Sequence, residues 1–309
     1  MNTSLKFVGI IGVIGISLTL INAKNINEVD TAISKRDTVN VNTSKLYEIK
    51  ALKIPENLNF AGEKVPLEEH DVKERIDREL LVNTYWQSNG LLLIKRAEKF
   101  FPIIEPILAK HGIPDDFKYL AVIESGLMNV SSPAGARGYW QLMKKTAKEL
   151  GLEVNENVDE RYDIKKSTEA ACKYLLKSKE RFGSWTLAAA AYNAGNAGVS
   201  RRLKAQKVEN YYDLLLVSET SRYVPRIIAV KEIMGNPQKY GFVFEAEDLY
   251  QHPDFKVVEV DSVITNLADF ALKMNTNYKK LKIYNPWLRQ NKLNNKSKKK
   301  YFIKIPKQS

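Results

Sequence analysis

Glu124 ends a stripe that is otherwise apolar. In the run FKYLAVIESG, Phe117, Leu120, Ala121 and Glu124 stand at i, i+3, i+4 and i+7, so a helix there puts all four on one face. A carboxylate on an inward face is costly to bury; it has a partner or it binds its proton more tightly than usual. Tight proton binding at neutral pH is what a general acid needs. Gly126 closes the run and the turn sequence SSPAGARG follows, which sets the carboxylate at the lip of a cleft. A partly exposed helix-terminal glutamate would show the same local pattern. Three later blocks carry further candidates: Ser125 with Tyr139, Trp140 and Gln141 in GARGYWQLM, Tyr192 and Asn193 at the helix end AAAAYNAG, and Glu219, Arg222 and Tyr223 in SETSRYVPR. Taken singly, each reads equally well as core aromatic or helix cap.

These residues must be held by helices. VKERIDRELLVNTYWQ and LLLIKRAEKFFPIIEPILAKHG have helical spacing, with Pro102 and Pro106 expected to break or kink the second. Gly112 and Pro114 give a stop and restart before the Glu124 helix, with Asp115 as its expected cap. YWQLMKKTAKELG ends at Gly151; STEAACKYLLKSKERFG has Ser167 as candidate N-cap and Gly183 past its end. SWTLAAAAYNAG has the composition of a tightly packed central helix, and NYYDLLLVSETSRYVPRIIAVKEIMGN supplies one or two more. No strand is expected between about 68 and 245. After a short bridge, FKVVEV and KKYFIKIP alternate like strands and flank two short amphipathic helices, a βααβ module. The expected fold class is therefore mainly α, an all-α domain followed by a small C-terminal βααβ unit. The expected boundaries are a signal peptide over 1–23, a polar linker over 24–66, the helical domain over 67–245 and the small module over 255–309.

Composition narrows the setting. The chain has 309 residues and a net charge of +12. Residues 256–309 hold 13 Lys and Arg against 3 Asp and Glu, so ten of those charges sit in the last module. Such a surface favours an anionic envelope polymer or membrane surface, and equally fits a solvated lysine-rich face. The apolar run Phe7–Ile21 after Lys6 fits the core of a secretory signal, with an uncleaved membrane anchor as the alternative. Nucleic acid is the third anionic class such a surface fits, and an export signal makes it the one not expected here. Cys172 stands alone inside a predicted helix and reads as a small buried side chain. His70, His111 and His252 have no ligand spacing, so no metal or other cofactor is expected.

Together and in this order, ESG, SSPAGARGYWQLM, DERYD, AAAAYNAG and SETSRYVPRI resemble the lysozyme-like catalytic domain of soluble-lytic-type transglycosylases, above all the membrane-bound lytic transglycosylase D group. The resemblance runs from about Leu67 to Asn236. The C-terminal module resembles a LysM domain in its βααβ order and its NPWLR helix end, but Glu259-Val260-Asp261-Ser262 replaces the usual Gly-Asp after the first strand. The resemblance implies cleavage of the β-1,4 bond between N-acetylmuramic acid and N-acetylglucosamine in peptidoglycan glycan strands, with closure of a 1,6-anhydro ring. It implies Glu124 as acid and then base, and Tyr192 as the hydrogen-bond partner of its carboxylate. Asn193 orders backbone or touches sugar, Gln141 binds an N-acetyl or peptide-stem group, and Ser125 fixes the helix end or contacts glycan. Tyr139 and Trp140 wall the cleft, Glu219 positions groups there and Tyr223 lines it. The DERYD segment reads as structural. A goose-type lysozyme-like hydrolase and a non-catalytic peptidoglycan-binding scaffold remain as alternatives, and no protein partner is readable.

Overall fold

The computed structural model describes residues 49–307. The expected signal peptide and the first part of the expected linker lie outside the described residues. The second part of that linker differs from expectation: it is packed structure. Strands β1 (Asn59–Phe60) and β2 (Glu63–Lys64) form a hairpin turned by Ala61 and Gly62, both at positive φ. Phe60 is fully buried, edge-on to Phe117 at 5.1 Å between ring centroids. Polar composition hid this segment because its buried residues, Leu58, Phe60 and Val65, are few.

Helices α1 (His70–Tyr85), α2 (Gln87–Lys110) and α3 (Lys118–Ser125) follow. Pro102 and Pro106 do not end α2; the helix runs through both. They lie four residues apart on its exposed side, while Phe100, Ile104 and Leu108 are buried. Water can satisfy the carbonyls that the prolines free on that side, and the apolar stripe holds the helix against the core. Asp115 does not cap α3. A 3-10 turn precedes the helix, and the Asp115 carboxylate takes Lys118 Nζ at 2.6 Å instead.

Next come α4 (Lys144–Glu149), α5 (Ile164–Phe182), α6 (Trp185–Ala194), α7 (Asn196–Gln206), α8 (Ser218–Ser221) and α9 (Tyr223–Gly235). Helix α5 begins earlier than the sequence suggested. Asp163 is its N-cap, accepting from Lys166 N at 3.0 Å, and Ser167 lies inside the first turn with its hydroxyl on the Asp163 carbonyl. Helix α6 is the central one: Leu187 and Ala188–Ala191 are buried, and small side chains let α5 and α9 approach it closely. Cys172 is buried in α5.

The DERYD segment clamps the glycine-rich loop. Arg161 pairs with Asp159 at 2.8 Å and donates to the carbonyls of Gly135 and Leu142, both at 3.1 Å. Gly138, at φ +82°, passes so close to Arg161 that a Cβ would stand 1.9 Å from its carbonyl oxygen. No other residue type fits there, which explains the spacing of the two motifs.

The C-terminal module is the expected βααβ unit: β3 (Phe255–Val260), α10 (Leu267–Lys273), α11 (Tyr278–Tyr284) and β4 (Tyr301–Pro306). The strands pair antiparallel from Phe255↔Pro306 to Val260↔Tyr301. Its core of Leu267, Leu281, Leu288, Ile303 and Ile305 also takes in Val158 and Tyr162 from the helical domain. Backbone bonds cross between the two, Asp159 N to Trp287 O at 2.9 Å and Arg289 N to Asn157 O at 2.8 Å. The Asn157 amide adds bonds to Lys292 O (2.6 Å) and from Asn294 N (2.8 Å). The module is therefore seated on the helical domain by apolar and polar contacts together. Among the described residues, no helix is long and apolar enough to cross a membrane.

Candidate active site

Glu124 occupies the last turn of α3, which Gly126 ends in the left-handed conformation at φ 59°. The turn is fixed from three sides. Ser125 Oγ donates to Ala121 O (3.2 Å) and Tyr139 O (2.7 Å), and an Arg96 guanidinium N–H of α2 donates to Gly126 O (3.2 Å). Ser125 is buried by these contacts, so it fixes the helix end and is not placed to touch a ligand. Glu124 is half-buried. Burial pushes its carboxyl up to about 7, with the charge of Glu219 adding to the rise while a Tyr223 hydrogen bond and the Arg226 charge oppose it. Near neutral pH, such a group has both its acid and its base form available.

The tyrosines differ from the sequence expectation. Tyr223, at the first position of α9, donates its hydroxyl to Glu124 Oε1. Tyr192 donates instead to the Trp140 carbonyl at 2.7 Å and braces the loop beside Glu124. The reason is geometric: α9 packs against α3, and its first residue, Tyr223, reaches Glu124, whereas Tyr192 near the end of α6 reaches the loop at Trp140. Burial drives both phenols far above their ordinary ionisation, so both remain donors.

Trp140 is core, fully buried, with its indole N–H on Thr168 Oγ1 at 2.8 Å. Tyr139 is also buried; its ring meets Phe100 at 4.9 Å and lines a crevice with Tyr162 and Asp163. Gln141 adopts φ 45°, and its side-chain Nε2 is tied to Gly138 O (2.7 Å) and Val130 O (3.1 Å). Only its Oε1 is left for another partner. Asn193 accepts from Thr220 Oγ1 at 2.8 Å and donates to Glu219 Oε1 at 3.5 Å, linking α6 to α8. Asp159 and Asp163 are occupied as pair and cap, as described above. Among the described residues no cluster of His, Cys, Asp and Glu could hold a metal ion.

Sequence reasoning missed one layer behind the site. Glu79 of α1 is a buried carboxylate that accepts from Arg222 Nε (2.6 Å) and Arg226 Nε (3.3 Å), with Arg78 a third partner. Arg222 and Arg226 stand four residues apart and flank Tyr223 in the sequence, so Glu79 anchors the start of the helix that carries the tyrosine. The i, i+4 arginine pair was the available signal.

A family model of the transglycosylase SLT domain matches residues 101–215, and one of the soluble lytic transglycosylase C-terminal LysM-like domain matches residues 256–309. The chain carries an SLT transglycosylase domain and a LysM-like domain. The SLT match covers α3, the glycine-rich loop and α6, and so includes Glu124, Gln141, Tyr192 and Asn193. Membrane-bound lytic murein transglycosylase D of Escherichia coli K12 is 33% identical over 152 residues, which is 47% of this chain and 34% of that one. The same enzyme from Escherichia coli O6:H1 matches equally. The chain thus spans about a third of the length of these relatives. Among solved structures, the 70 kDa soluble lytic transglycosylase of Escherichia coli aligns with a TM-score of 0.39 and 23% identity, over 50% of this chain and 27% of that one.

Proposed function

We propose that this chain is a peptidoglycan lytic transglycosylase in which Glu124 is both acid and base. The observation that carries the reading is a half-buried carboxyl pushed up to about 7 and held by a tyrosine donor, at the helix end of an SLT domain. Protonated Glu124 donates to the glycosidic oxygen between N-acetylmuramic acid and N-acetylglucosamine as the C1–O bond breaks, leaving an oxocarbenium-like centre at C1. The substrate's own N-acetyl carbonyl stabilises that centre. Glu124, now a carboxylate, takes the proton of the muramic C6 hydroxyl, whose oxygen bonds to C1 and closes the 1,6-anhydro ring. Attack within one sugar has a high effective molarity and needs no activated water.

Tyr223 orients the carboxyl and moderates its proton affinity. Tyr192, Ser125 and Gln141 Nε2 hold the surrounding loop, Gln141 Oε1 is left for an acetamido or peptide N–H, and Asn193 and Glu219 form the opposite lip. The LysM-like domain keeps glycan strands near the cleft, and its lysine-rich face suits an anionic envelope surface. The enzyme so described works outside the cytoplasm, in the periplasm or cell envelope. We place the domain boundary near residue 50, because the 58–65 segment is part of the core.

Glu219 is the specific reason to keep a second reading, since a second carboxylate in the cleft is what a goose-type hydrolase would use on water. Product analysis of digested sacculi separates the two. The transglycosylase releases anhydro ends one water (about 18 Da) lighter than the hydrolytic product, because ring closure replaces attack by water. Mainly reducing ends would overturn the proposal.

A further inference from the structure

A crevice of about 70 Å³ lies between the SLT domain and the LysM-like domain, lined by Lys99, Phe100, Tyr139, Asp163, His252 and Lys304 among others. Its charge is unbalanced, with the Lys99 and Lys304 ammonium groups against the one lining carboxylate, Asp163. The Lys99 ammonium faces the Phe100 ring at 5.4 Å and that of Lys304 faces Phe255 at 5.2 Å; among the described residues neither has a carboxylate within ion-pair reach. Asp163 is engaged as the cap of α5, and nearby Asp254 pairs with Lys307 at 3.6 Å. Burial holds the Lys304 ammonium below its ordinary range, with Asp163 opposing and Lys165 reinforcing the effect. Burial also holds the His252 imidazole down; its bond to the Pro253 carbonyl opposes this, and Lys304, Lys99 and Lys165 add repulsion. The position of Lys304 is preorganised, because the Asn285 side-chain amide binds both its N–H (2.8 Å) and its carbonyl (2.6 Å).

Two ammonium groups against apolar walls, with the single lining carboxylate of Asp163 already held as a helix cap, leave an excess of positive charge. We propose that this crevice binds a carboxylate carried on a small apolar body, with Lys99 and Lys304 as charged donors and Phe100 and Tyr284 as walls. A water molecule needs ~10–15 Å³, so the crevice holds about five to seven non-hydrogen atoms, the size of an amino-acid carboxyl terminus. Resting on the function proposed above, the source is the peptide stem of peptidoglycan; a free small acid presents the same chemistry. An occupant would also meet the active-site loop. The Tyr139 ring lines the crevice, and its carbonyl accepts from Ser125 next to Glu124.

The test is calorimetric or NMR titration of the full chain with N-acetyl-D-alanine, its amide, inorganic phosphate and a purified stem peptide. The acid should bind saturably, with the amide and phosphate at least ~10-fold weaker, because charge-assisted bonds are lost or misshaped. Lys304→Gln and Lys99→Gln should each weaken binding by ~10-fold, while Lys256→Gln on the exposed face of β3 should not. Tighter binding of the stem peptide than of N-acetyl-D-alanine supports the stem as the source; no preference overturns that assignment. Absence of saturable binding, equal binding of the amide, or unchanged binding in both crevice variants overturns the site itself. Titration does not depend on cleavage, so its outcome and that of the product analysis stand apart.

Discussion

Replacing Tyr223 by Phe removes one hydroxyl, the donor to Glu124 Oε1, and leaves a ring of the same shape. A hydrogen bond to a charged group contributes ~1.5–3 kcal/mol. At about 1.4 kcal/mol per pKa unit, that is about one to two units. The neutral carboxyl keeps part of the bond, so about one unit is expected. The sign is set by which form gains: the tyrosine favours the carboxylate, and its loss favours the acid. Glu124 should therefore move from about 7 to roughly 8. In a profile of kcat/KM against pH, the descending limb reports loss of the protonated free enzyme, and it should move to higher pH by about one unit. The plateau should fall roughly tenfold, since the carboxylate formed as Glu124 gives up its proton has lost about 1.4 kcal/mol of support. Release of anhydro-muropeptides from sacculi between about pH 5 and 9 reads both effects. A limb that stays in place, or moves to lower pH, refutes the assignment of Tyr223 as the group that holds Glu124.

Glu124→Gln should bind sacculi normally and lose at least ~100-fold in turnover, the scale of general acid–base catalysis; full activity would rule out the mechanism. The same variant should be more stable than the wild type at alkaline pH. The folded carboxyl is raised from 4.5 to about 7, so the native state binds the extra proton in that window and stability falls as pH rises through it. Urea midpoints at about pH 8 should favour the variant by ~2–3 kcal/mol, with the gap closing below about pH 4.5; a constant gap would contradict the raised proton affinity. Asn157→Ala removes three side-chain amide bonds to the LysM-like domain, at 2.6, 2.8 and 3.4 Å. Amide hydrogen exchange in residues 288–294 should rise by at least ~10-fold, and an unchanged pattern would show that the Asn157 side chain does not help to seat the module.

Legibility in the sequence followed the range of the interactions involved. The helices and the βααβ module were readable because apolar spacing and glycine stops are local. The burial and raised proton affinity of Glu124 were readable because an acid on an apolar stripe contradicts its own pattern. Tyr192 and Tyr223 could not be told apart as partners of Glu124: both lie in motif blocks, and only the packing of α9 beside α3 decides which hydroxyl arrives. Pro102 and Pro106 misled because a proline rule applied to one helix ignores which side faces water. The 58–65 hairpin was missed because three apolar residues in a polar stretch give no period. Glu79 was missed since its two arginine partners, though spaced i, i+4 from each other, stand 143 and 147 positions away from it in the chain.

The charge of Glu219 bears on what attacks the sugar. The resemblance gives Glu124 both the acid and the base role and Glu219 only a positioning one, and a lone acid–base carboxylate favours ring closure because no second base remains to activate water. The structure puts Glu219 close enough for its charge to raise Glu124. That influence does not make Glu219 a base. Its side chain is exposed on the four-residue helix α8 and is held by one long bond from Asn193, at 3.5 Å. In the proposed reaction a negative charge there would have two effects that need no contact with water: it would keep Glu124 protonated before cleavage, and it would stabilise a cationic centre as C1 loses its leaving group. The competition is then between a C6 hydroxyl with an effective molarity of ~10⁵ M or more and bulk water at about 55 M. A loosely held carboxylate has to order a water on the far face of the sugar to reverse that ratio. Thr220 and Asn193 instead direct the local hydrogen bonds into the α6–α8 junction. In the proposed reaction the second carboxylate would therefore act through its field, and the sugar's own hydroxyl would keep the advantage.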